Sequence, residues 1–203
     1  MPRPRIHDPD RVLDAAESLA AESGPAAVTI RAVAAAVGIS NGAIYHTFGS
    51  RGELLGRAWL RAARRFLAVQ TDLVDGSLAD DASDAVVAAA EAPAVFAQRF
   101  PASSTLLLTL RRDQLLGEAI PAGLADEIDE QQTALVDLLI RLSTAMWDRK
   151  DAKAVDVITT CVVDLPTSIL LRRNRLHNPL AREHLRAAVR AVLEIGPPER
   201  RHR

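Results

Sequence analysis

The sequence has 203 residues, of which 48% are hydrophobic and 3% aromatic, and its formal net charge is -1. This composition excludes a disordered chain and a fibrous repeat, and the abundance of Ala, Leu and Arg favours helices over sheets. We therefore expect a globular, all-α protein.

The remaining bulk features concern the cellular compartment. The single cysteine, Cys161, cannot form an intrachain disulfide. Residues 1–10 lack the apolar stretch of a secretory signal, and the most apolar segment, 155–171, is interrupted by two Asp and by Pro166. We expect a cytoplasmic protein without a membrane span.

The charge is distributed unevenly along the chain. Residues 1–65 hold nine Arg and six acidic residues, a local net charge of +3, whereas the remainder carries -4. A basic end on a nearly neutral chain favours a local contact with a polyanion, although a solvated helix face rich in arginine fits the charge equally well.

The first two predicted helices have clear start and stop signals. Asp8 is a favourable N-cap before Pro9, and Gly24 with the following proline ends the first helix. The second helix is short, with Thr29 as its cap and Gly38 just after its last turn.

The third and fourth helices follow at once. Ser40 caps the third helix, and only Ile39 and the preceding glycine separate it from the second, which predicts a tight helical corner. Ser50 and Glu53 form a predicted capping box at the start of a long fourth helix that ends near Gly76.

The rest of the chain keeps a helical period. Later helices are predicted at 80–91, 94–100, 103–116, 121–147, 151–174 and 178–195, with breaks at Pro93, Pro101, Gly117, Pro121, Asp148 and Asn178-Pro179. The tail, 196–203, has no apolar face to bury and is predicted to be disordered.

Residues 29–48 have the spacing of two short helices that cross at a steep angle. Ala34 offers a small side chain at the crossing, and Gly38 allows a positive φ at the corner. The apolar residues that would lock the two helices together are Val33, Val37, Ile39 and Ile44. The spacing predicts a helix-turn-helix whose second helix enters the major groove of DNA.

The exposed positions of this second helix suit contact with DNA. Gly42 allows a close approach at the helix N-terminus, where free amides favour phosphate. Asn41 and His46 can hydrogen-bond to base edges or phosphates, Ala43 can touch a thymine methyl, and Tyr45 can reach the DNA backbone. An ordinary helical hairpin would not account for the corner and the polar face together.

The same region resembles the N-terminal signature of the TetR (tetracycline-repressor) family. The residues that carry the resemblance are Thr29-Ile30-Arg31, Ala34, Val37 to Ser40, Gly42, Ile44-Tyr45, Phe48 to Arg51 and Glu53 to Leu55. The resemblance implies about nine helices, with a DNA-binding domain at 1–50 and a ligand-binding and dimerisation domain at 51–195. It also implies a non-enzymatic, dimeric repressor without a cofactor, released from an inverted-repeat DNA operator by a small-molecule effector.

The resemblance also implies roles for individual residues. Thr29 and Tyr45 correspond to phosphate contacts, and Arg51 replaces a lysine that binds phosphate, while Thr47 and Gly52 depart from the family pattern. Thr47 can alter the operator preference. The positions assigned to DNA contact are Thr29, Arg31, Ser40, Asn41, Gly42, Ala43, Tyr45, His46 and Arg51.

Dimerisation is predicted through the last two helices. Residues 155–171 place apolar side chains around most of the helix, which therefore needs cover on two sides. A central core helix in a monomer fits the same pattern, but one recognition helix buries too little surface to specify a DNA site. The positions assigned to the interface are Ile158, Val162, Leu165, Ile169, Leu185, Val189 and Val192.

A largely apolar effector cavity is predicted within 51–195. Its candidate lining residues are Trp59, Phe66, Phe96, Phe100, Leu107 and Leu110, with Arg111 near the mouth. Aromatic residues at helical spacing are more often plain core.

Two other functions fit parts of the sequence. Gly38 to Gly42 matches the G-x-S-x-G pattern of serine hydrolases, which would make Ser40 a nucleophile, but that elbow requires a preceding strand. A helical bundle that binds small molecules and no longer contacts DNA is the second alternative. His177 and His184 lack supporting ligands, so no metal site is predicted.

Overall fold

The computed structural model describes residues 8–116 and 120–199, and every regular element in these ranges is helical. The prediction of an all-α protein is confirmed. A single 3-10 turn, Pro25–Ala27, joins the first two helices. The α-helices are α1 (Pro9–Ser23), α2 (Ile30–Val37), α3 (Asn41–Phe48), α4 (Arg51–Leu78), α5 (Ala82–Arg99), α6 (Pro101–Thr109), α7 (Arg112–Leu116), α8 (Ala122–Trp147), α9 (Ala152–Thr159) and α10 (Pro179–Ile195).

The first three helices are capped as predicted. The side chain of Asp8 accepts from the amide of Asp10 at 3.0 Å, and Thr29 accepts from the amide of Ala32 at 3.1 Å. Ser40 caps α3 in the same way, through the amide three residues later. These bonds satisfy amides that the first helical turn leaves without a partner, so the helices begin where their caps lie.

The capping box predicted at the start of α4 is only half formed. The hydroxyl of Ser50 accepts from the amide of Glu53 at 3.0 Å. The amide of Ser50 donates to the carbonyl of Phe48 at 2.6 Å, so it already has a backbone partner. The carboxylate of Glu53 accepts instead from Arg57 one turn later, with Nε at 2.9 Å.

The prediction of a helix break at Pro93 is wrong, because α5 runs through this residue. Proline has no N–H for the carbonyl of Ala89, four residues earlier, and such a loss normally kinks or ends a helix. Here Nε2 of Gln70, on α4, donates to that carbonyl at 3.0 Å. The replacement comes from a distant part of the chain, which the local sequence does not show.

The predicted helix at 103–116 is two helices. α6 begins at Pro101, where a missing N–H costs nothing in the first turn, and Leu110 is in an extended conformation that ends it. Nε1 of Trp59 donates to the carbonyl of Leu110 at 2.9 Å and so satisfies a group that the break releases. The predicted break at Gly117 lies outside the described residues.

α9 continues beyond Thr159 in a wider helical form. Two π-helical segments, Thr160–Asp164 and Thr167–Leu171, follow it. Contrary to the expectation from the sequence, Ala152–Leu171 is long and apolar enough to cross a membrane by length and composition. The core helix of a soluble protein meets the same criteria, and Ile158 and Leu170 in this stretch are fully buried.

The first of two compact units comprises Met1–Arg64 and Phe100–Glu130. Its core contains the apolar faces of α1 to α3 together with residues from α4, α6 and α8. A close contact is built into this core at Gly56, where an added Cβ would lie 2.8 Å from Cδ2 of Leu124. The predicted boundary at residue 50 divides the chain by function and stays a prediction.

A buried charge cluster also lies in the first unit. Glu17 on α1 is 3% exposed, and its Oε1 accepts from Nε of Arg61 on α4 at 2.9 Å. Its Oε2 accepts from the hydroxyl of Ser103 on α6 at 2.5 Å. Arg61 also pairs with Asp14 at 2.7 Å. Both carboxylate oxygens of Glu17 therefore have partners, as a buried charge requires.

The second compact unit comprises Arg65–Arg99 and Gln131–Arg203. Its core is rich in alanine along α5 and includes four residues of the predicted dimer interface. Ile158, Val162, Leu185 and Val189 are at most 4% exposed within the single chain. These four cannot face a second subunit, because neighbouring helices of the same chain already cover them. The other assigned positions, Leu165, Ile169 and Val192, are half-buried.

The start of the predicted disordered tail is packed. Nη1 of Arg149 donates to the carbonyl of Pro198 at 2.9 Å, and Gly196 is half-buried beside the indole of Trp147. Residues 200–203 lie outside the described part of the chain.

Burial also affects the one cysteine of this unit, since it raises the pKa of the Cys161 thiol to about 12.

Candidate DNA-binding site

The corner between α2 and α3 has the predicted geometry. Gly38 is in the left-handed region, at φ 75° and ψ 38°, and its amide donates to the carbonyl of Ala34 at 2.9 Å. An L side chain rarely adopts this conformation, so glycine is required here. Val33 and Ile44, one from each helix, are fully buried in a common core. The predicted helix-turn-helix is confirmed.

The outward face of α3 is polar and open. Asn41, Gly42 and His46 are exposed, and Tyr45 has 54% of its surface exposed. Ala43 is half-buried, and its carbonyl accepts from the Thr47 hydroxyl at 3.0 Å. The side chains on this face of α3 are thus open to solvent and available to contact another molecule.

Thr29, Arg31 and Ser40 occupy the helix starts beside this face. Both hydroxyls are already acceptors of their helix caps, but a hydroxyl has a further acceptor site and one donor. All three residues are exposed. Eight of the nine assigned DNA contacts therefore lie on α3 or at the starts of α2 and α3.

Gly42 has no explanation in the packing of the chain. It lies in the first turn of α3 with an ordinary helical backbone, and an added Cβ would meet only the Ser40 hydroxyl, at 3.8 Å. That distance is ordinary van der Waals contact. Glycine inside a helix is less favourable than alanine by roughly 0.5–1 kcal/mol, and no contact in the described structure requires glycine at this position.

Arg51, the ninth assigned contact, has a role that the sequence did not reveal. Its Nε donates to the carbonyl of Val28 at 2.7 Å, and Nη2 donates to the carbonyl of Pro25 at 2.8 Å. The side chain thus ties the start of α4 to the segment before α2. Backbone carbonyls are present at every residue, so no local sequence signal could have identified these partners.

The position of Ser40 does not match a nucleophile elbow. The residue lies between two helices rather than after a strand, and its hydroxyl accepts from the amide of Ala43 at 3.2 Å. Within the described residues, no group of three or more His, Cys, Asp or Glu could hold a metal ion.

The residues assigned to an effector cavity divide between the two compact units. Phe66 and Phe96 belong to the second unit, where their rings meet edge to face with centroids 5.5 Å apart. The other five belong to the first unit. Among them Leu110 is a core residue, and Arg111 is exposed and paired with Asp113 at 3.1 Å. The assignment of these residues to one cavity stays a prediction.

Comparison with known proteins agrees with this geometry. Residues 12–58 match the family described as bacterial regulatory proteins, tetR family. No curated protein is significantly similar to the sequence.

Several solved structures share the fold. A TetR-family transcriptional regulator from Rhodococcus sp. has 22% identity and a TM-score of 0.65, with 91% of this chain and 97% of that chain covered. The regulator PfmR from Thermus thermophilus has 23% identity and a TM-score of 0.60, with 94% and 100% covered. The ketosteroid regulator KstR2 of Mycobacterium tuberculosis has 18% identity and a TM-score of 0.64, with 96% and 98% covered. Residues 12–58 therefore match the N-terminal region of the tetR family of bacterial regulatory proteins, and the chain shares its fold with these solved transcriptional regulators.

Proposed function

We propose that this protein is a sequence-specific, DNA-binding transcriptional repressor. The observation that carries the proposal is the exposed polar face of α3, which follows a left-handed corner at Gly38. A helix presented in this way fits the major groove of DNA, because that groove is wide enough to admit one α-helix. We further propose a cytoplasmic, non-enzymatic protein without a cofactor.

Contacts to base edges are proposed for α3. Asn41 and His46 can hydrogen-bond to bases, and Ala43 can contact a thymine methyl, whereas Thr29, Arg31 and Tyr45 are suited to phosphates. Base-edge contacts carry sequence discrimination of about 1–3 kcal/mol each, and phosphate contacts carry affinity without discrimination.

The test is selection of a duplex from a random-sequence pool, followed by gel-shift titration of that duplex. We expect an inverted repeat, and also a specific shift with the DNA upstream of the protein's own gene. Asn41→Ala or His46→Ala should relax the preference at particular base pairs while leaving binding to unrelated DNA unchanged. A uniform loss across all duplex variants would assign these residues to phosphate contact.

The same titration distinguishes the alternatives. A helical bundle that has lost DNA binding would select no sequence from the pool. A hydrolase that uses Ser40 would turn over ester substrates, and Ser40→Ala would abolish that turnover. Selection of a specific duplex, together with no ester hydrolysis, supports the repressor.

Arg51 is proposed to position the helix-turn-helix and to contact a phosphate as well. The guanidinium keeps its positive charge while it donates to the carbonyls of Val28 and Pro25, and a positive charge at the start of α4 attracts phosphate. Arg51→Ala should weaken DNA binding uniformly and reduce the salt dependence by about one charge. Weaker binding with an unchanged salt dependence would leave the positioning role alone.

We propose that the protein is a homodimer released from its operator by a small-molecule effector. Two subunits would place their recognition helices about 34–36 Å apart, or farther when ligand is bound. Four of the predicted interface residues are buried in the core of the single chain. We therefore propose an interface on the outward face of α10. This face carries Leu180 at 58% and Ile195 at 86% exposure, with Ala187 and Ala191 exposed between them.

A further inference from the structure

The carboxamide of Gln70 is buried in the second unit, and its oxygen has no hydrogen-bond donor there. The residue is 1% exposed, and its Nε2 donates to the carbonyl of Ala89 at 3.0 Å. Its Oε1 is buried and has no hydrogen-bond partner among the described residues. Leaving a buried acceptor without a donor is costly, so this atom needs an explanation.

Pro93 fixes which way the carboxamide points. The Ala89 carbonyl would normally receive the amide of residue 93, and proline has none to give. Nε2 of Gln70 takes that place. Turning the carboxamide over would bring Oε1 against the Ala89 carbonyl, and two acceptors cannot bond to each other. The unsatisfied acceptor is therefore set by the covalent structure of the neighbouring helix.

The two helices joined by this hydrogen bond each carry an aromatic residue. Phe66 precedes Gln70 by four residues on α4, and Phe96 follows Pro93 by three on α5. The two rings meet edge to face at an interplanar angle of 80°. None of the five positions 66, 70, 89, 93 and 96 carries a charge. This stretch of α4 and α5 thus combines an uncharged, aromatic pair of positions with one acceptor of fixed orientation.

We propose that Oε1 of Gln70 is the recognition point for an apolar, aromatic ligand that bears one O–H or N–H donor. The inference rests on the proposed function, because it gives the chemical class of the effector. A hydroxyl or amine of the ligand completes the missing hydrogen bond. A ligand without a donor leaves the acceptor unsatisfied, and a carboxylate would place two acceptors together, so both are discriminated against.

The test uses the full chain and a matched pair of probes, 2-naphthol and its methyl ether, titrated by calorimetry. The two differ in one donor. We expect 2-naphthol to bind the wild-type protein about tenfold more tightly than the ether, as one satisfied hydrogen bond predicts. Gln70→Met keeps the volume of the side chain and removes the acceptor, so it should bring the two affinities together.

Pro93→Ala provides a second variant in case Gln70→Met fails to fold. Alanine returns an amide to the carbonyl of Ala89, which frees the carboxamide to rotate. The preference for 2-naphthol should then shrink while both probes still bind. Thermal unfolding followed by circular dichroism establishes that each variant is folded.

Three results would overturn the proposal: equal wild-type affinity for the two probes, binding of neither, or a preference that survives Gln70→Met. A crystal structure grown with 2-naphthol that shows only an ordered water at Oε1 would also overturn it. Release of DNA is measured separately by gel shift. A probe that binds at Gln70 without releasing DNA contradicts the proposed repressor mechanism but leaves the site intact.

Discussion

At the scale of single residues, the recognition helix contains a glycine that weakens the fold. Gly42 could carry a methyl group without meeting anything closer than 3.8 Å. Asn41 and His46 on the same helix are polar and exposed, so no packing within the chain offsets the helix stability that the glycine loses. In the proposed complex, close approach of the helix backbone to DNA is the benefit that the glycine allows.

Gly42→Ala is therefore expected to change stability and DNA binding in opposite directions. Urea unfolding should show a gain of up to about 1 kcal/mol, since alanine is the better helix former. DNA affinity should fall because the methyl group intrudes on the interface. Gly123→Ala is the matched control, because this glycine is also the second residue of a helix and has open space around it. Unchanged DNA affinity in Gly42→Ala would contradict the proposed docking.

Arg149 and Asp151, at the start of α9, predict a dependence of stability on pH. The hydrogen bond from the Arg149 guanidinium lowers the pKa of Asp151 from 3.8 to about 2. A carboxyl whose pKa is depressed by folding stabilises the folded state above the unfolded pKa, and this contribution disappears as the pH falls from about 4 to 2. The advantage of wild type over Asp151→Asn in urea unfolding should shrink across that range. A constant difference would show that the pair is not formed in solution.

At the scale of elements, one buried carboxylate connects three helices of the first unit. Glu17 on α1 receives hydrogen bonds from Arg61 on α4 and from Ser103 on α6. Burial of an ion pair contributes little net stability, but removing one partner leaves the other charge buried and alone. The three helices are consequently sensitive to changes at either end of the pair.

Arg61→Met should destabilise the protein by about 3–5 kcal/mol in urea unfolding, because the buried carboxylate of Glu17 then loses the guanidinium that pairs with it. The double variant Glu17→Gln with Arg61→Met should recover much of that loss, since no buried charge remains. Arg64→Met, which removes an exposed ion pair with Glu127, is the control and should cost at most about 1 kcal/mol. Equal effects of Arg61→Met and Arg64→Met would mean that the buried pair contributes nothing particular.

At the scale of the whole molecule, the proposed dimer requires an interface on surface that the single chain leaves exposed. Val162, one of the interface positions predicted from the sequence, is 4% exposed, and a charge there would disrupt the core of the single chain. The outward face of α10 offers Leu180, Ala187, Ala191 and Ile195, which lie on one side of the helix.

Ala191→Asp should therefore produce folded monomers that lose specific DNA binding, as measured by sedimentation and gel shift. Ala145→Asp, an exposed alanine on α8, places the same charge outside the proposed interface and should remain dimeric. A dimer that persists in Ala191→Asp would move the interface off this face of α10. A monomeric wild type at micromolar concentration would refute dimerisation altogether.

The local sequence determined the helix starts, the corner at Gly38 and the exposed face of α3. A cap is a hydrogen bond between residues two or three apart, as at Asp8 and Ser40, and a left-handed corner depends on one glycine. Such features are fixed by neighbours along the chain, so a pattern of letters is enough to predict them. The family resemblance drew on the same short segment.

Only the tertiary structure decided the continuity of α5, the partners of Arg51 and the burial of Ile158. Gln70 bonds to the carbonyl of Ala89, 19 residues away in the chain, in place of the amide that Pro93 lacks, and Arg51 bonds to carbonyls 23 and 26 residues away. An apolar helix has no mark in its sequence to show whether its second side meets its own chain or another subunit. These features depend on which distant groups are brought together, because burial and long-range hydrogen bonds are properties of packing rather than of sequence periodicity.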